Sequence, residues 1–257
     1  MRTRLLTTTF LISVAGLLIV WQRDARAQSS PVRVLASNGF RAVLDELGPQ
    51  CERAIGHPLT LQSGTSTSLR QKMDAGEAFD VAVVTAEAMD DLVKAGKVSA
   101  PTRTALGRSG IGVGIRAGAK KPDITTAEAL KKALLAARSI TYAGDGASRP
   151  HIENMVGVLG IADVMTKKTL LEQGSVRAAA KVATGDAELL ITLISEILPA
   201  PGVELVGPLP AAFQHYVSFA AATGAKAANP EAGKALIACL SGPSVTATLK
   251  ARGMDKP

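Results

Sequence analysis

The feature that most constrains this chain is an alternation. Short apolar runs take turns with stretches whose apolar positions recur at helical spacing. Residues 32–36 read as a strand, and residues 40–55 as a helix closed by Gly56-His57-Pro58. Residues 59–62 read as strand and 68–74 as helix, then 81–84 as strand and 86–95 as helix. This β-α-β-α-β-α order calls for a parallel sheet with helices on both faces. A second series starts at residues 111–115. It continues with helices at 125–137, 149–159 and 175–183, and strands at 139–142, 169–171, 189–193 and 203–206. Thr125 followed by Glu128 has the form of a capping box, and so does Ser68 followed by Gln71. A strand at 216–221 and helices at 230–240 and 244–251 complete the chain.

The expected fold class is therefore α/β in two lobes, each a mainly parallel sheet flanked by helices. Lobe one takes residues 30–108 plus 216–257, and lobe two takes 109–215. The chain crosses between them twice, as a two-strand hinge. A ligand would sit in the cleft, at the carboxyl ends of the strands.

Residues 1–27 read as a cleavable export signal. Arg2 and Arg4 precede an apolar stretch, and Ala25-Arg26-Ala27 supplies the small-x-small pattern of a cleavage site. The expected location is the periplasm. Four of the 29 basic and one of the 22 acidic residues lie in that leader, so the remainder carries 25 against 21, a net charge of +4. This mild excess suits a small anion. With only 3% aromatic residues and no basic run, the chain lacks what nucleic-acid binding requires. Cys51 and Cys239 both stand in apolar helical patterns and read as two small buried side chains. A disulfide is the alternative, since both helices belong to lobe one and bridging needs Cα atoms within about 7 Å.

Three turns deliver residues to the cleft: Ser37-Asn38-Gly39, Gly64-Thr65-Ser66-Thr67-Ser68, and Gly144-Asp145-Gly146-Ala147-Ser148-Arg149. Each follows a strand and opens a helix. Each therefore offers free backbone N–H groups and the positive end of a helix dipole. Such termini hold an anion with little formal charge. Each hydroxyl could instead serve only as a helix cap. Arg149 gains nothing for its helix at that end, which favours a role facing an anion.

The run Val32-Arg33-Val34-Leu35-Ala36-Ser37-Asn38-Gly39-Phe40 resembles the opening of the molybdate-binding periplasmic proteins, of the type II periplasmic binding protein superfamily. So does Gly64-Thr65-Ser66-Thr67-Ser68-Leu69-Arg70-Gln71, continuing through Ala75-Gly76 to Asp80-Val81, and Ser241-Gly242-Pro243 matches as well. The resemblance implies a substrate-binding protein of an ABC importer, monomeric, docking on a membrane permease and capturing a molybdate-like oxyanion. It implies no cofactor and no catalytic or metal-ligating residue. Carried over, the family's first serine falls at Gly39, which keeps only its N–H. The second-loop serine is Ser66. Backbone donors fall at Ser148 and Val176. The family's tyrosine is replaced by Leu193, next to Thr192. Thr85, at the end of the third strand, completes the candidate set. With two family hydroxyls missing, a small organic carboxylate paired with Arg149 stands as the alternative ligand.

A secreted hydrolase is the rival from another class. No G-x-S-x-G elbow is present, and His57, His151 and His215 have no metal-ligand spacing. Gly110-Ile111-Gly112-Val113-Gly114 lacks the spacing of a dinucleotide loop. The sequence thus points to a binding protein and not to an enzyme.

Overall fold

The computed structural model describes residues 30–257; the export signal expected at 1–27 lies outside the described residues. No helix among the described residues is long and apolar enough to cross a membrane. The first series runs β1 (Val32–Ser37), α1 (Asn38–Ile55), β2 (Leu59–Gly64), α2 (Ser66–Asp74), β3 (Val81–Thr85) and α3 (Ala86–Lys94). Then come β4 (Thr104–Arg116), α4 (Ala127–Ala136), β5 (Ile140–Ala143), α5 (Arg149–Val158) and α6 (Ala162–Lys168). They are followed by β6 (Thr169–Glu172), α7 (Ser175–Thr184), β7 (Leu189–Leu193), α8 (Ile194–Ile197) and β8 (Val203–Pro208). The chain ends with β9 (Tyr216–Thr223), α9 (Pro230–Ser241) and α10 (Val245–Ala251).

The strands pair in the order β2-β1-β3-β9-β4-β7-β5-β6, with β8 also on β4. β1 lies parallel to β2 and β3, and β5 parallel to β6 and β7. The antiparallel pairings gather around β9 and β4. β4 is far longer than the run at 111–115 that the sequence suggests. Residues 104–110 pair with β9, and residues 111–116 with β7 and β8. Gly107, Arg108 and Ser109 interrupt the apolar pattern of its first half, which hides it from periodicity.

Period-two alternation explains the layers. Val32, Val34 and Ala36 of β1 pack with Phe40, Val43, Leu44 and Leu47 of α1. Leu35, between them in sequence, packs on the opposite face with Leu69, Met73 and Met89. Val81 and Val83 of β3 divide from Ala82 and Val84 in the same way. Both faces are thus covered, and the strand sequences read as continuous apolar runs.

Asp80, fully buried just before β3, holds the first half together. It accepts hydrogen bonds from the Arg33 N–H and guanidinium and from the N–H groups of Ala228 and Asn229. Burial alone would raise its pKa. The bonds from Arg33, Asn229 and Ala228 outweigh it and hold the carboxyl below the usual range. The Asp before the buried strand is therefore structural.

Two local readings change. Thr126 caps α4 by accepting from Ala129 N–H, while Thr125 bonds Asp123. Thr65 caps α2 by accepting from Ser68 N–H, so the helix begins before the Ser68 box expected there. The reading of the cysteines as two unbonded apolar side chains is also corrected. α1 and α9 pack together on one sheet face, and Cys51 and Cys239 are disulfide-bonded with Cα atoms 5.9 Å apart. The bond closes a loop of sequence separation 188, so it constrains the unfolded chain by up to about 5 kcal/mol. Unfolded, unreduced protein should show no free thiol. The double substitution Cys51→Ala, Cys239→Ala should cost about 2–5 kcal/mol in a urea melt.

Candidate functional site

The carboxyl ends of β1, β2, β5, β6 and β7 run into helices α1, α2, α5, α7 and α8 at one cavity. Its inner end has a volume of about 20 Å³, room for one small polar group. Ser37, Thr65, Ser66, Ser148, Leu193 and Glu196 are among the residues around it. It lies beside an outer cavity of about 1200 Å³ bordered by Asn38, Thr67, Arg149 and Val176, with Thr65, Ser175 and Glu196 shared between the two.

The hydroxyls differ in how they are committed. Ser37 and Ser148 are 5% and 2% exposed, and neither caps its own helix. Ser66 Oγ accepts from Thr85 N–H at 3.0 Å, which leaves its O–H to donate. Thr65 caps α2 and donates to Asp145 Oδ2 at 2.7 Å. Thr85 borders neither cavity; its side chain caps α3 through Ala88 N–H, and its own N–H fixes Ser66.

Gly39 also borders neither cavity, and the reason is steric. A Cβ there would stand 2.4 Å from Phe219 Cζ and 2.9 Å from Leu193 Cδ1. The Phe219 ring and the Leu193 side chain fill the space that a serine at this position would need.

Arg149 is engaged within its own region. Its Nε donates to Glu153 Oε1 at 2.8 Å and its Nη1 to Gly144 O at 2.7 Å. It borders the outer cavity together with Arg41, which bonds Asp45 and Ser63. Thr192 borders neither cavity, but its hydroxyl donates to Glu196.

Three site residues were missed in the sequence. Asp145 takes the Thr65 hydroxyl on one oxygen and Gly174 N–H on the other, tying the start of α2 to the start of α7. Ser175, buried at the start of α7, donates to Glu196 Oε1 at 2.9 Å and accepts from Asn38 Nδ2 at 3.3 Å. Glu196 itself takes hydroxyls from Ser175 and Thr192. Burial raises its pKa above the ordinary carboxyl range, and Asp145 adds to this; the bonds from Thr192, Ser175 and Leu193 N–H oppose it. The signal for Glu196 was a lone acid in the apolar stretch from Leu189 to Leu198.

The histidines stand apart from both cavities. His151 stacks on His215 with ring centroids 3.4 Å apart. No group of three His, Cys, Asp or Glu among the described residues could hold a metal ion.

The profile of the family described as bacterial extracellular solute-binding protein matches residues 32–255. This chain belongs to that family. An aconitate isomerase from Pseudomonas sp is 30% identical over 228 residues, covering 86% of this chain and 86% of that protein. The fold is shared with the periplasmic molybdate-binding protein of Azotobacter vinelandii: TM-score 0.75, 21% identity, covering 88% of this chain and 99% of that one. It is also shared with a sulfate-binding protein of Mycobacterium tuberculosis: TM-score 0.68, 18% identity, covering 88% and 87%. Family membership and fold thus agree with the resemblance seen in the sequence.

The packing at Gly39 is directly testable. Gly39→Ala should destabilise this solute-binding protein by about 1–3 kcal/mol through overpacking against Phe219. Adding Phe219→Leu should recover part of the loss, read as non-additivity in denaturant melts.

Proposed function

We propose that this protein captures a small organic polycarboxylate in the periplasm and delivers it to the permease of an ABC importer. In this reading residues 30–108 with 216–257 form one lobe and residues 109–215 the other, and they close over the ligand. The observation that carries the ligand class is the pairing of a small hydroxyl-ringed inner pocket with a wide outer cavity bordered by Arg41 and Arg149. One carboxylate suits the inner end, where the helix N-termini point. The remaining carboxylates would extend toward the arginines. A tetrahedral oxyanion would leave the outer cavity unused. The aconitate isomerase relative, at 30% identity, adds support for a tricarboxylate-like ligand.

Titration calorimetry with trans-aconitate, other small carboxylates and molybdate tests this. Ser66→Ala removes a donor to a charged group and should weaken carboxylate binding by about 10- to 150-fold. Arg149→Ala should take away most of the affinity for a polycarboxylate while leaving any molybdate affinity nearly unchanged. Tight molybdate binding with no response to any carboxylate would overturn the reading.

A second reading is favoured by Glu196, a half-buried carboxyl bordering both cavities. Such a group can move a proton on a bound unsaturated acid, as the isomerase relative's name suggests for this site. Incubation with trans-aconitate, followed by separation of cis and trans isomers, decides it: conversion supports catalysis, and unchanged ligand leaves capture alone.

A further inference from the structure

We propose that Glu196 serves as a proton-carrying donor to the bound anion, so that capture draws a proton from solution wherever Glu196 of the free protein is ionised. The inference rests on the carboxylate-capture reading and adds a regulation to the same site.

The position where the family resemblance implies a serine is Gly39, and Phe219 and Leu193 fill the space its side chain would need. The tyrosine position is Leu193 itself, which carries no hydroxyl. The inner pocket is therefore short of two donors. Glu196 stands at that pocket and at the outer cavity. As a carboxylate it can only accept, and an anion beside it would be repelled. As a carboxylic acid it supplies an O–H to the ligand. Its fixed neighbours, Ser175 and Thr192, hold the group in place from α7 and β7. Ser175 is in turn fixed by Asn38 at the start of α1.

The surrounding charges favour the neutral form. Asp145 and Glu172 border the same cavity and are both acidic. From α1, Arg41 and Asp45 border it and are paired with each other. Arg149 is paired with Glu153. On the other elements packed against α8, Lys181 of α7 is paired with Asp186, and Arg177 of α7 is exposed. Arg108 of β4 lies over the Tyr216 ring, Arg116 stands at the far end of β4, and β8 carries Glu204. β7 carries no charged residue. None of the cations is bonded to Glu196 or shifts its titration. An arriving anion adds one more negative charge, which raises the proton affinity further.

The test is calorimetry of trans-aconitate binding between pH 6.5 and 9, in buffers of different ionisation enthalpy, on wild type and Glu196→Gln. The wild type should take up no proton while free Glu196 is neutral, and close to one proton per anion at alkaline pH where it is ionised. Its affinity should fall about tenfold per pH unit once Glu196 ionises. Glu196→Gln keeps a donor that cannot ionise, so it should take up none and bind with pH-independent affinity. No proton uptake by the wild type at the alkaline end of the range, or equal uptake in Glu196→Gln, overturns the proposal. Absence of binding to any carboxylate overturns the capture reading instead. Ligand-free melts then decide the state of Glu196 by themselves. A carboxyl with a raised folded pKa gives stability that is complete below its unfolded value and lost as pH rises through the folded one. The melting temperature of Glu196→Gln relative to wild type should therefore climb with pH; a constant difference overturns the protonated state.

Discussion

The thirteen residues of β4 carry the hydrogen bonds on which both halves of this sheet depend. Its first half pairs with β9 and its second half with β7 and β8. Along this one strand the two sets of strands are joined, and their carboxyl ends border one cavity. Its glycines have a packing role. A Cβ on Gly112 would stand 2.8 Å from Ile194 Cγ1 and 3.0 Å from Gly207 O. Ile194 is the first residue of α8, so this close approach sets where α8 lies and hence where Glu196 is held. The glycine-rich run that failed as a nucleotide motif is what places the carboxyl of Glu196 at the cavity.

Chemistry at the cavity follows from the same geometry. Helix starts from α1, α2, α5 and α7 present N–H groups, and the serines there are not consumed by capping. Donors of this kind are pre-set before any ligand arrives. Two carboxylates are interleaved with them. Asp145 uses the Thr65 hydroxyl and Gly174 N–H, and Glu196 uses Ser175 and Thr192. These acids set this cavity apart from a plain cage of neutral donors.

Much of this was legible in the sequence. Strands buried on both faces announce themselves as unbroken apolar runs, as in β1, β3 and β7. Ser37, Ser66 and Ser148 could be picked out because each stands where a strand of such a sheet passes into a helix at the cleft, although the same rule picked Thr85, which borders neither cavity. What escaped depended on contacts between distant segments. The first half of β4 has an apolar face only because β9 and α10 cover Leu106 and its neighbours. The disulfide needed α1 and α9 side by side, across a separation of 188 residues. Gly39 looked like a lost ligand group until Phe219 was seen in the space. Glu196 lies on a helix of four residues, too short for periodicity to mark.

In the proposed binding mode one carboxylate of a polycarboxylate occupies the inner pocket while the rest reaches the arginines. A crystal structure of the protein grown with trans-aconitate is the decisive test. It should show a carboxylate bonded by Ser37, Ser66 and Ser148 and within reach of Glu196, with the other carboxylates directed toward Arg41 and Arg149. A cleft left empty at saturating ligand, or a ligand bound away from these serines, would contradict it.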